Sequence, residues 1–138
     1  MIEFHGEEIE KPKLDFIKIQ DWVILSIEEE KSSVGDINYI FCSDDYLLKI
    51  NKEYLNHDYF TDIITFDYSQ EKNISGDIFI SVDRVKENSE KYESGLEKEF
   101  LRVLVHGVLH LLGYDDKNVD DKKEMTKRED FYINQYYL

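Results

Sequence analysis

Apolar and polar residues alternate from Ile2 to His5, the pattern of a short first strand. Pro12 follows where a helix start tolerates proline. From Leu14 to Glu30, Phe16, Ile19, Val23 and Ile27 recur at helical spacing, and Trp22 and Ile24 widen that face. Ser32, Ser33 and Gly35 are expected to close this helix. Asp36 to Cys42 reads as a strand. Ser43 then caps a helix that runs through Leu47, Leu48, Ile50, Asn51 and Tyr54. Ile63–Tyr68 and Asp77–Val82 read as two strands of a hairpin, with Asn73–Gly76 as turn chemistry between them. Val82 to Tyr92 is weakly helical and polar, and Gly95 interrupts.

Leu96 to Leu112 is the most apolar helix in the chain, which predicts burial on most sides. Gly113 ends it, and a last helix is expected from about Val119 to Tyr136. This order predicts an α+β or mixed α/β class: one domain over 1–138, with a small mixed sheet of about four strands packed with helices.

Composition adds limits. The chain has 138 residues, one proline and one cysteine, with no linker, repeat or low-complexity tract. Eight Phe, ten Tyr and one Trp are too many for a disordered chain. The single Cys42 excludes an intrachain disulfide framework and suits a reducing cytoplasm. No apolar run approaches the roughly 20 residues of a membrane span. The first residues lack the basic end and apolar stretch of a signal peptide. Asp and Glu number 31 against 17 Lys and Arg, for a net charge of −14. That balance argues against a large basic face for nucleic acid.

Two of the four histidines, His106 and His110, fall in the apolar helix at i, i+4, on one face and about one turn apart. Such a pair arises by chance in soluble proteins. Here a glycine stop and an acidic pair, Asp115 and Asp116, follow it. A chain turning back after Gly113 would bring one of these carboxylates to the same ion. Two nitrogens and one oxygen with an open fourth position make a catalytic zinc set. Zinc-protease helices read His-Glu-x-x-His, with the glutamate as base. Gly107 stands where that glutamate would be, which disfavours a protease and leaves room for backbone or substrate to approach.

The run His106 to Asp116 resembles the signature of the YbeY family, His-Gly-x-Leu-His-Leu-x-Gly-Tyr-Asp-His. Asn51, Tyr54, Asp58, Thr61, Asp62 and Phe66 are similar to a second family stretch, and Gly76-Asp77-Ile78 to a third. The resemblance implies a metal-dependent endoribonuclease that matures the 3′ end of small-subunit ribosomal RNA and serves ribosome quality control. It implies His106, His110 and Asp116 as metal ligands, with Asp116 standing where the family has histidine. Carboxylate is a competent third ligand, for zinc or for manganese or nickel. Leu55 stands where the family has arginine, a group suited to phosphate, and Phe60 replaces a proline.

The mechanism so implied is metal-assisted phosphodiester hydrolysis, with Asp115 as the candidate to move protons. Single-stranded RNA is the expected target, and exposed aromatics would offer stacking. Lys49, Lys52, Arg84, Lys86 and Arg102 are candidates to line a cleft, and His57 or Lys52 to replace the missing arginine. At this net charge, RNA binding alone is expected to be weak and salt-sensitive. Ribosomal RNA and small-subunit proteins are the expected partners, with no membrane and no small-molecule cofactor. Two other classes remain open: an assembly factor with a structural metal, and hydrolysis of a small ester or amide. Thr61, Asp62 and Asp77 are read as structural, Cys42 and Tyr114 as packing, and His5 as a bystander.

Overall fold

A computed structural model describes residues 1–138. The elements follow in the order β1 (Ile2–Gly6), α1 (Phe16–Glu29), β2 (Ser33–Cys42), α2 (Asp44–Leu55), β3 (Ile63–Asp67), β4 (Asn73–Ser81), α3 (Val82–Lys91), α4 (Leu96–Leu111) and α5 (Val119–Tyr136). The four strands form one sheet in the order β1-β2-β4-β3. β1 and β4 run parallel to β2, and β3 returns antiparallel to β4 at the edge. The expected α+β class with a mixed four-stranded sheet and the expected β3–β4 hairpin are both present.

Alternation along the strands divides the sheet into two faces. Ile37, Tyr39, Phe41, Ile78 and Ile80 point into the main core, with α1, α4 and α5. Cys42 and Ile64 face the other way, onto Leu47 and Ile50 of α2. Cys42 is fully buried, and burial first, then the nearby Asp83, Asp44 and Glu7, pushes its thiol up to about 12. It is a core residue, as expected. No helix is long and apolar enough to cross a membrane.

Two boundaries differ from the pattern. Ser33 and Gly35 do not close α1 but begin β2; the chain reverses before them, with Lys31 at φ 62°. Asn73–Gly76 is not a turn but the start of β4. The reversal lies at Gln70–Asn73, where Glu71 takes φ 56°. In both places β2 and β4 pair with each other, Ser33 opposite Asn73 and Val34 opposite Ile74. That tertiary ladder overrides the local preference of Ser, Gly and Asn for turns.

Helix α4 lies across the main core, and from Phe100 to Leu111 every residue except Arg102, His106 and His110 is buried. These three form one stripe at i, i+4 spacing. Gly107 lets the helix reach the sheet. A Cβ there would stand 2.9 Å from Ile78 Cγ2 and 3.1 Å from Ile63 Cδ1. The room left by this glycine is therefore filled by β3 and β4, not by substrate. Gly107→Val is expected to lower stability by about 2–3 kcal/mol through overpacking. A fall in the urea midpoint at unchanged slope checks it.

Candidate metal centre

Helix α4 ends in paired closing bonds. Gly113 N–H donates to the His110 carbonyl at 3.0 Å, and Tyr114 N–H to the Leu109 carbonyl at 3.0 Å. Gly113 takes φ 105°, the left-handed conformation this motif needs. The chain turns back at once, and Asp116 comes to lie over the helix it has just left. Its Oδ2 stands 3.4 Å from His106 Nε2 and 3.5 Å from His110 Nε2. One ligand atom from each of the three residues lies within 4.8 Å of the others. All three are half-buried.

The outer nitrogens are already engaged. His106 Nδ1–H donates to Glu129 Oε2 of α5 at 2.6 Å. His110 Nδ1–H donates to the Tyr114 carbonyl at 3.1 Å. Each bond fixes the tautomer that leaves the Nε2 lone pair facing Asp116. The two rings stand nearly perpendicular, with centroids 4.6 Å apart. Two imidazole nitrogens and a carboxylate oxygen converging in this way suit zinc, and also manganese or nickel.

Glu129 was not visible in the motif. It lies 23 residues beyond His106, and its side chain is 7% exposed. Its other oxygen accepts from Arg102 Nη1 at 2.9 Å, and Arg102 Nη2 donates to Asp130 at 2.7 Å. One signal for it exists: Glu129 is the charged residue on the buried stripe of Met125, Tyr132, Ile133 and Tyr136. Asp62, read as a turn brace, is half-buried and within electrostatic reach of His106; burial raises its pKa. Its carbonyl also accepts from Ser81 N–H, so it braces β3 on β4 as well.

Asp115 is exposed and lies outside the three-ligand group. The basic residues proposed to line a cleft are dispersed. Arg102 is committed to Glu129 and Asp130, Arg84 to Asp44 and Glu87, and Lys52 to Asp58. Lys49 borders a groove with Tyr54 and Phe79, while Lys86 borders a different one near Lys11 and Lys13. His57 is held by the Tyr59 hydroxyl at 3.0 Å. Tyr114 does more than pack: its hydroxyl donates to Glu30 at 2.6 Å. His5 is exposed beside Asn38, and Asp77 accepts from Asn38.

Burial opposes the charged form of His106, but the hydrogen bond and charge of Glu129 outweigh it, so its pKa is raised. In metal-free protein this pairing therefore stabilises the fold fully below the unfolded imidazole value near 6.5. The contribution is lost as pH rises through the higher folded value. An ion requires the neutral ring, so metal should add more stability as pH rises. Thermal melts of wild type and Glu129→Gln without metal, from pH 5 to 9, are expected to draw closer as pH rises, down to a residual gap from the Arg102 pairing, which does not titrate in this range. A gap that stays constant with pH would contradict the pairing.

A helix that presents two imidazoles to a returning carboxylate, against a mixed sheet, defines a class of α+β proteins with one three-residue group able to hold a metal ion. The family model described as Endoribonuclease YbeY matches residues 2–137. A Cytophaga hutchinsonii protein named Endoribonuclease YbeY is 52% identical over 114 residues, 82% of this chain and 80% of its own. One of the same name from Flavobacterium johnsoniae is 50% identical over 118 residues, 86% and 85% of the two chains. The solution structure of TM1509 from Thermotoga maritima covers 99% of this chain and 89% of its own, at TM-score 0.73 and 29% identity. The chain belongs to the YbeY family of endoribonucleases.

Proposed function

We propose that residues 1–138 act as one metal-dependent endoribonuclease unit on single-stranded RNA, in the cytoplasm. The role is 3′-end maturation of small-subunit (16S) rRNA and ribosome quality control, with ribosomal RNA and small-subunit proteins as partners. The observation that carries this reading is the convergence of His106 Nε2, His110 Nε2 and Asp116 Oδ2, with both Nδ1 atoms engaged elsewhere. These three residues would hold one zinc, manganese or nickel ion.

When bound, such an ion supplies a Lewis acid for a phosphoryl oxygen and acidifies a water. His106 and His110 serve as neutral donors, locked by Glu129 and by the Tyr114 carbonyl. The carboxylate of Asp116 offsets part of the ion's charge. Asp115, exposed beside it, takes the proton of the attacking group. Asp115→Asn is expected to lower RNA cleavage by about 10²-fold or more at unchanged metal content. Equal cleavage in variant and wild type would remove Asp115 from the mechanism.

The net charge of −14 and the dispersed basic residues support weak, salt-sensitive binding to free RNA. Docking on ribosomal proteins supplies the remaining affinity. The test is cleavage of an end-labelled single-stranded RNA by untagged protein. Cleavage is expected to stop with chelator and return with zinc or manganese.

A second reading has one observation in its favour. Leu55 is 39% exposed, and the neighbouring Lys52 and His57 are engaged with Asp58 and Tyr59, so no free cation replaces the family arginine there. Under that reading the chain is an assembly factor with a structural metal and little nuclease activity. A folded His106→Ala variant separates the two. An assembly factor keeps its pre-ribosome binding, whereas an enzyme loses cleavage.

A further inference from the structure

Glu30 stands just past the end of α1, with 13% of its side chain exposed. The Tyr114 hydroxyl donates to its Oε1 at 2.6 Å, and the Tyr132 hydroxyl donates to its Oε2. Arg128 Nη1 lies 3.6 Å from the same Oε2. Enclosing a carboxylate costs desolvation, and two hydroxyls with a guanidinium offset that cost. The arrangement clamps three parts of the chain: the end of α1, helix α5 through Tyr132 and Arg128, and the loop after α4 through Tyr114.

That loop carries the centre. Tyr114 lies between His110 and Asp116 in the chain. Its carbonyl accepts from His110 Nδ1 at 3.1 Å, so its backbone sets the ring of one ligand. Asp116 follows on the same turn and reaches both Nε2 atoms. The bonds from Gly113 and Tyr114 to α4 fix only the first residues past the helix. The side chain of Tyr114 is what ties the turn to a second element.

We propose that Glu30 is a positioning residue for the metal centre, acting through the Tyr114 hydroxyl on the loop that orients His110 and carries Asp116. This rests on the reading of His106, His110 and Asp116 as metal ligands. Tyr132 shares the same carboxylate but belongs to α5, which makes it the internal control.

The experiment loads cobalt(II) into the full chain as wild type, Tyr114→Phe, Tyr132→Phe, Glu30→Ala and the Glu30→Ala/Tyr114→Phe double variant. Affinity is read by competition with a chelator, and ligand geometry by visible absorption. Tyr114→Phe is expected to weaken cobalt binding by about 10- to 100-fold, the range for partners that orient ligands, and to alter the spectrum. Glu30→Ala should match it, and the double variant should add no further loss, because both changes cut one connection. Tyr132→Phe should keep wild-type affinity and spectrum, whatever it does to the melting temperature.

Wild-type affinity and spectrum in Tyr114→Phe would overturn the proposal, as would equal losses in Tyr114→Phe and Tyr132→Phe. In either case the ligand assignment stands if the wild type takes up cobalt. A wild type that takes up none overturns both.

Discussion

His106→Ala is expected to abolish metal-dependent RNA cleavage while leaving the fold intact. The alanine removes one of three converging ligand atoms and leaves His110 and Asp116 as an incomplete set. A bound ion contributes several kilocalories of transition-state stabilisation. Losing it corresponds to a fall of about 10³-fold or more in cleavage rate. The fold is expected to survive, because His106 is half-buried on the stripe of α4 and is not part of the apolar core. Far-ultraviolet circular dichroism checks the fold, and a gel assay on single-stranded RNA checks the rate. A folded variant that cleaves at the wild-type rate would refute the catalytic reading.

Glu129→Ala is the second large effect, and it reaches stability as well as metal binding. Glu129 is buried and holds two partners, Arg102 Nη1 at 2.9 Å and His106 Nδ1 at 2.6 Å. Removing one member of a buried pair strands the other charge, at a cost of about 3–5 kcal/mol. Arg102 keeps Asp130, and its side chain is 28% exposed, so the lower end, about 3 kcal/mol, is expected. The same change frees the His106 ring to turn and should weaken metal binding by about 10- to 100-fold. Urea unfolding without metal measures the first effect, and chelator competition the second. A variant with wild-type metal affinity would show that Glu129 serves the fold alone.

These two residues also mark the limit of what could be read from the chain. His106 and His110 were legible because helical spacing is local, and Gly113 because a left-handed helix end needs glycine. Asp116 was legible as one of two carboxylates in the turn, and the family pattern chose between them. Glu129 was not, since its partner lies on another helix and nothing in the motif points to it. Glu30 entered the pattern only as the end of the first helix, yet two tyrosine hydroxyls enclose it. The Ser33–Gly35 and Asn73–Gly76 segments looked like breaks because their strand character comes from pairing with each other. Gly107 left room for either backbone or substrate on the pattern alone, because the side chains of Ile63 and Ile78 that fill it come from the sheet.

The dispersal of the basic residues has the same origin. Lys52, Arg84 and Arg102 each sit within 4 Å of a carboxylate that sequence order does not reveal as a partner. These ion pairs take the three residues out of any shared basic face, whereas His106, His110 and Asp116 converge on one position.

The most direct test of that claim is metal content by elemental mass spectrometry. The samples are untagged protein purified without chelators and its Asp116→Ala variant. About one equivalent of zinc or another transition metal in the wild type, lost in the variant, is the expected result. No metal in either protein, even after reconstitution with zinc, manganese and nickel, would contradict the metal-centred mechanism.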